Sequence, residues 1–353
     1  KYDVIRETYN DILLEVYYHH SHKYNIHRLI KGMKGAIDFN SSSFSPYPYH
    51  QLRIVELPGY WGMAVSTSGT IAFEETMGLL SLIRKDYPGL VDYPFFVTAH
   101  ETSHQWWGQQ LIPARAQGLH IILETLTQYS AITSVEKAYG MVSVSNFLKF
   151  EMQKYLGERA VARDVPLSQV KGDKDQYIYY RKGAIVMYTL RDYLGEEVLN
   201  NALSKFFHDY KKGHPYPLAS DLIDYLRSVT PPDKEYILTD LLETITIWDN
   251  KTESATVKKR SDGKYDISLT IKARKNRCDS LGRETPVEMK DLIDVGVTGT
   301  DGNFIYLEKK EIKTGINTIT VTVDKKPVQA GIDPVYKLID RIVNDNVITV
   351  KTL

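Results

Sequence analysis

His100 and His104 stand four residues apart, with Glu101 beside the first, in the run His100-Glu101-Thr102-Ser103-His104. Side chains four apart on an α-helix return to nearly the same face, so both imidazoles can point at one place. The motif therefore calls for a helix, predicted from about Phe95 to Trp107 and stopped near Gly108. On such a helix the two imidazoles can hold one metal ion, and Glu101 is placed to act on a water there instead of ligating. A catalytic zinc usually takes three protein ligands and leaves the fourth position open. Glu124 is the candidate third ligand, twenty residues after His104 (124 − 104) and early in a predicted helix that returns antiparallel. Most glutamates are simply solvated. Here the neighbours are apolar or uncharged, and two histidines with one glutamate form a known zinc-hydrolase ligand set.

The rest of the chain sets bounds. It has 353 residues, with 44 Lys+Arg against 44 Asp+Glu, so no net charge steers it toward nucleic acid or an anionic membrane. Its single cysteine, Cys278, excludes an internal disulfide framework and any multi-cysteine metal site. No apolar run approaches the roughly 18–20 residues of a membrane span. The start at Lys1 reads as an excised or processed form, which leaves the compartment open.

The length suggests two or three domains. Residues 1–40 read as helical, because Tyr2, Ile5, Tyr9, Leu13, Val16 and Tyr17 recur at helical steps and Ile26 to Ile37 continues the pattern until Asn40-Ser41-Ser42-Ser43 breaks it. A strand follows at 52–57, an extended segment at 64–73 and a loop at 89–94. Helices are predicted at 122–138, 143–158, 180–194, 196–211 and 219–228. Past Asp249-Asn250 the pattern turns to period two, at 265–271, 293–297, 305–307 and 317–323, with turns at Asp262-Gly263 and Asp301-Gly302. The expected fold class is α+β. A mainly helical domain over 1–248, with a strand-containing part at about 50–75 and a helical part at about 95–248, precedes a small β-sandwich over 249–353.

The run His100-Glu101-x-x-His104-Gln105-Trp106-Trp107-Gly108, with Glu124 following, resembles the gluzincin metallopeptidases of the aminopeptidase N type, peptidase family M-one. Nineteen residues, 105 to 123, separate the second histidine from the glutamate, one more than in many members. Tyr180-Arg181-Lys182-Gly183 matches the family's Tyr-x-Lys-Gly element, and Ser130-Ala131, Asp249-Asn250-Lys251 and the strand-rich tail look like a bacterial branch fused behind an ABC-transporter permease. The resemblance spans about residues 45–353. It implies a thermolysin-like catalytic domain, one Zn2+ on His100, His104 and Glu124, Glu101 as general base, Tyr180 as oxyanion donor and a peptide as substrate. It also implies attachment to a membrane permease through an N-terminal portion outside this chain, so that a soluble domain would be tethered to a bacterial membrane. The family's Gly-x-Met-Glu-Asn element is best matched by Gly69-Thr70-Ile71-Ala72-Phe73, expected as an edge strand that pairs with substrate backbone. Ala72 then stands where the family's amino-terminus-binding glutamate would be, with Glu74 and Glu75 as candidate substitutes.

Other features take plainer readings. His19, His20 and His22 would scatter around a helix, His120 reads as a satisfied polar residue, and Trp106 and Trp107 as core anchors. The cluster Lys272 to Arg277 reads as a solvated face, and Cys278 as inert. The reading from another class is a non-catalytic zinc-binding or peptide-binding module serving a membrane transporter.

Overall fold

A β-hairpin opens the chain in the computed structural model, which describes residues 1–59, 62–83 and 92–352. Strands β1 (Tyr2–Tyr9) and β2 (Ile12–His19) pair antiparallel across Asn10-Asp11. Both turn residues have positive φ, 49° and 62°, the conformation that joins two strands with their natural twist. The helix expected over this segment is therefore wrong. The apolar residues follow period two, and β2 buries Ile12, Leu14, Val16 and Tyr18 on one face.

Helix α1 (Ile26–Ser43) buries Ile26, Leu29, Met33, Ala36, Ile37 and Asn40. It runs through the predicted break at 40–43. Asn40 is fully buried, donating to the Ala36 carbonyl (2.8 Å) and Ser103 Oγ (3.0 Å) and accepting from Ser130 Oγ (2.8 Å). Ser103 and Ser130 lie on other helices, so tertiary contacts override the local breaker signal. Strands β3 (Gln51–Leu57), β4 (Ala64–Thr67) and β5 (Thr70–Glu74) complete a five-stranded sheet in the order β1-β2-β3-β5-β4. Strands β2, β3 and β5 run parallel, while β1 and β4 are antiparallel edges. The segment expected to be an edge, 69–73, is thus mostly an inner strand, and the edge is β4.

Helix α2 (Tyr93–Ser103) carries the histidine motif. Asp92 caps it by accepting the Phe95 N–H at 3.2 Å, and Pro94 lies in its first turn. Of the loop expected at 89–94, residues 89–91 lie outside the described residues, and Tyr93 and Pro94 are helical. α2 closes at Ser103 instead of Trp107, with His104 as a still-helical cap at φ −59° and ψ −18°. It packs on α1 and on α3 (Leu126–Tyr139). Gly32 of α1 allows the close approach, since a Cβ there would meet the Phe95 carbonyl oxygen at 2.7 Å. Helices α4 (Met141–Arg159), α5 (Gly183–Leu194), α6 (Glu196–Tyr210) and α7 (Ala219–Ser228) follow near their predicted positions.

After α7 come a 3-10 turn (Pro232–Lys234), a short helix, α8 (Glu235–Leu238), a π-helical turn (Thr239–Glu243) and then strands. β6 (Ile245–Trp248), β7 (Lys251–Lys259), β8 (Tyr265–Ala273), β9 (Lys275–Cys278), β10 (Glu284–Val287), β11 (Lys290–Thr298), β12 (Phe304–Lys313), β13 (Gly315–Val323), β14 (Gln329–Ile332), β15 (Val347–Thr349) and β16 (Lys351–Thr352) form three sheets, ordered β10-β9-β6, β12-β11-β14-β15 and β13-β8-β7-β16. Lys275 is not on a solvated face. It is buried, and its Nζ joins Asp240 at 2.8 Å and Asp291 at 2.9 Å, tying the last helical turns to the strands.

Candidate metal centre

His100 and His104 lie on the buried face of α2 and its cap, their rings 4.8 Å apart and perpendicular. Glu124 reaches them from a single π-helical turn, Ile121–Thr125, that leads into α3. Such turns shift the register of one helical segment and often mark functional positions. Glu124 Oε2 lies 3.4 Å from His100 Nε2 and 3.5 Å from His104 Nε2.

The other ring nitrogens are already engaged. His104 Nδ1 donates to the Trp107 carbonyl at 2.9 Å, and His100 Nδ1 donates to Gln128 Oε1 at 2.9 Å. Those bonds orient both rings so that the Nε2 atoms face Glu124, as in histidines that ligate metals. Glu124 Oε2 is buried and has no hydrogen-bond partner. A buried carboxylate oxygen facing two imidazole nitrogens across 3.4 and 3.5 Å leaves a gap that a cation fills chemically. Two imidazole nitrogens and one carboxylate oxygen are a zinc donor set, so the residues present fit a zinc ion. Glu101, next along α2, also lies within ligand reach of both histidines.

The charges around this point are coupled. Burial opposes a charged His104, but the Glu124 carboxylate offsets it and pushes His104 up to about 9. Burial works against ionised Glu124 too, yet His104 and His100 hold it well below the usual carboxylate range. Burial pushes Glu101 up, with both histidines pulling back.

Tyr180 comes from a second π-helical turn, Tyr177–Lys182, which precedes α5. Its ring centre is 5.8 Å from that of His100. Burial and then the Glu124 carboxylate raise its pKa, so the hydroxyl keeps its proton and can donate. Two contacts fix this turn against the segment that carries Glu124 and leads into α3. Thr125 Oγ1 donates to the Tyr179 carbonyl at 2.7 Å, and Gln128 Nε2 donates to the Tyr180 carbonyl at 3.2 Å. Gly183 is needed for the approach, because a Cβ there would meet Thr125 Oγ1 at 2.5 Å. Gln128 thus touches both His100 and the Tyr180 backbone. Sequence reading passed over it, although it stands one helical turn after Glu124.

The six expected substrate positions divide. Gly69 does approach the motif: its N–H donates to Gln105 Oε1 at 2.8 Å, while Gln105 Nε2 donates to Ser66 Oγ (2.7 Å) and the Thr67 carbonyl (2.8 Å). Thr70, Ile71 and Ala72 lie on inner strand β5, with Ile71 fully buried. Glu74 and Glu75 follow at its far end, about 13 Å along the strand from Thr70 at roughly 3.3 Å per residue. Glu74 accepts from Thr76 Oγ1 at 2.6 Å, and Glu75 from the Gly59 N–H at 3.1 Å. His120 is also not the satisfied residue expected: its Nδ1 is buried without a partner, and its ring stacks on Tyr179 at 4.3 Å and 9°. Trp106 and Trp107 are fully buried core residues, each indole donating inward, to the Ser45 carbonyl and Ser130 Oγ.

With this geometry in place, comparison with known proteins decides the family. The sequence model described as "Peptidase family M1 domain" matches residues 30–248. The chain belongs to peptidase family M1. Tricorn protease-interacting factor F2 of Thermoplasma acidophilum is 21% identical over 288 residues, 75% of this chain and 36% of that protein. Endoplasmic reticulum aminopeptidase 2 of Homo sapiens is 21% identical over 213 residues, 58% of this chain and 22% of that protein. This M1 chain therefore spans between about a fifth and a third of the length of these curated relatives. The crystal structure of Legionella pneumophila aminopeptidase A in complex with aspartic acid superposes with a TM-score of 0.58 at 17% identity, covering 97% of this chain and 38% of that one. That likeness establishes a shared fold of mixed helices and sheets.

Proposed function

We propose that this chain carries the catalytic centre of a zinc-dependent, aminopeptidase-like peptidase, with a thermolysin-like domain ahead of a small β-sandwich. The observation that carries the proposal is the buried, unpartnered Glu124 Oε2 facing two imidazole nitrogens whose rings are oriented by outside partners. His100, His104 and Glu124 would hold the ion, which when bound polarises the scissile carbonyl and acidifies a water. Glu101 takes the proton of the attacking water and returns it to the leaving amine. Tyr180 donates its hydroxyl proton in a hydrogen bond to the oxyanion as it forms. Gln128 holds His100 in orientation. An extended peptide is read by edge strand β4, where Val65 and the preceding Met63 are exposed.

Replacing Glu101 by Gln keeps the shape and removes the base. Hydrolysis of amino-acid amides and short peptides should fall by about 10²–10⁴-fold with metal content unchanged. Turnover equal to the parent's would sink the proposal. End specificity follows from β4, whose Ala64, Val65, Ser66 and Thr67 bring no carboxylate to the cleft. Glu74 and Glu75 stand at the end of β5 away from Gly69, so neither meets a free amino group at the end bound to the histidine motif. A peptide and its N-acetylated form should be cleaved within about tenfold of each other, since an unscreened ion pair of about 1.4 kcal/mol or more would exceed that. A much larger preference for the free amine would place the missing carboxylate on another segment. Attachment to a membrane permease rests on the resemblance of the motif surroundings. Among the described residues no helix is long and apolar enough to cross a membrane.

A further inference from the structure

Strands β2, β3 and β5 run parallel, so the residues that follow or close them are gathered at one rim of the sheet. His22 stands in the turn after β2, Glu56 near the end of β3 and Glu75 directly after β5. Their ligand atoms all lie within 4.8 Å of one another. His22 Nδ1 is 2.5 Å from Glu56 Oε1 and 3.6 Å from Glu75 Oε2. This rim is at the end of β5 away from Gly69, which is the end bound to the histidine motif through Gln105.

We infer that His22, Glu56 and Glu75 form a second site for a first-row divalent cation, Zn2+ foremost, separate from the His100–His104–Glu124 centre. Three observations support it. The carboxylates are held from behind: the His19 N–H donates to Glu56 Oε2 and the Gly59 N–H to Glu75 Oε1, leaving one oxygen of each turned to the imidazole. Gly59 is part of that arrangement, since a Cβ there would meet Glu74 Oε1 at 2.9 Å and Glu75 Oε1 at 3.0 Å. Second, these carboxylates have no basic partner other than His22 among the described residues. Glu56 is only 3% exposed and Glu74 2%, and among the described residues no lysine or arginine pairs with Glu56, Glu74 or Glu75. Third, the donor set selects the ion. One imidazole and two carboxylates suit zinc and its neighbours, whereas Ca2+ and Mg2+ take oxygen ligands alone. His22 and Glu75 are partly open to solvent, so water can complete the coordination. A cation there takes the place of the direct His22–Glu56 contact, and it pins the turn after β2 to the ends of β3 and β5.

The test counts zinc. Chelator-stripped protein is reloaded with Zn2+, freed of unbound ions and assayed for zinc per chain. The parent should hold two, His104→Ala one, His22→Ala one, Glu75→Gln one and the double variant His22→Ala/His104→Ala none. Glu75→Gln keeps shape and volume at a partly exposed position, so it reads the site even where His22→Ala folds poorly. If the parent holds one zinc and His104→Ala none, the rim is only an ion pair and the inference fails while the catalytic proposal stands. If His104→Ala leaves the count unchanged and His22→Ala lowers it, the catalytic proposal fails and this one stands. Parent-like counts in both His22→Ala and Glu75→Gln overturn the rim site.

Discussion

Gln128 shows how much of this candidate centre depends on residues behind the proposed metal ligands. It accepts from His100 Nδ1 and donates to the Tyr180 carbonyl, so it aligns the proposed ligand and the proposed oxyanion donor together. Removing such a partner typically lowers metal affinity about 10–100-fold. Gln128→Ala should show that loss in competitive chelator titration while far-ultraviolet dichroism stays unchanged. An unaltered affinity would mean that His100 is oriented by packing alone. The histidine motif could be read from spacing, because a four-residue step is a property of any helix. Gln128 could not be singled out, because its role lies in two partners 28 and 52 residues away in sequence.

Two elements of the same kind build the centre from opposite sides. Each begins with a π-helical turn, Ile121–Thr125 before α3 and Tyr177–Lys182 before α5, and the two turns meet at Thr125 and Gly183. Gly183→Ala would drive a methyl to within 2.5 Å of Thr125 Oγ1 and disturb its bond to the Tyr179 carbonyl. Overpacking of this kind costs about 1–3 kcal/mol. The variant should lose that much stability in urea titration and lose turnover as Tyr180 moves; parent-like values in both would show that the turns tolerate separation. Period-two and period-3.6 patterns located most elements, including β8, β11, β12 and β13. They failed at β1 and β2, where alternating residues also fall at helical steps and the Asn10-Asp11 turn carries the deciding information.

The helical and strand-rich parts are joined by buried charge as well as by apolar contact. Lys275 meets Asp240 and Asp291, and Lys337 meets Asp192 and Asp294. Nearby, Asp340 is fully buried. Burial foremost, opposed by the N–H groups of Ile342 and Asn250 and reinforced by Asp333, pushes it up to about 8. The folded chain therefore keeps a proton on Asp340 that the unfolded chain releases near 3.8. Stability from this group is complete below the unfolded value and is lost as pH rises toward about 8, at up to about 1.4 kcal/mol per pH unit. Asp340→Asn should flatten the decline in unfolding free energy measured between pH 5 and 8. An unchanged slope would assign the decline to other groups.

By itself the sequence picked out the His100-Glu101-x-x-His104 motif, the candidate ligand Glu124 and the change from helices to strands near residue 249, because helical spacing and period-two alternation are local properties of the chain. Only the tertiary structure decided the rest. It made β4 the edge of the sheet and β5 an inner strand, since strand order depends on partners distant in sequence. It buried Lys275, and it turned His22 from one of three histidines scattered around an expected helix into the neighbour of two carboxylates. In each case the deciding interaction joins residues that no local period connects.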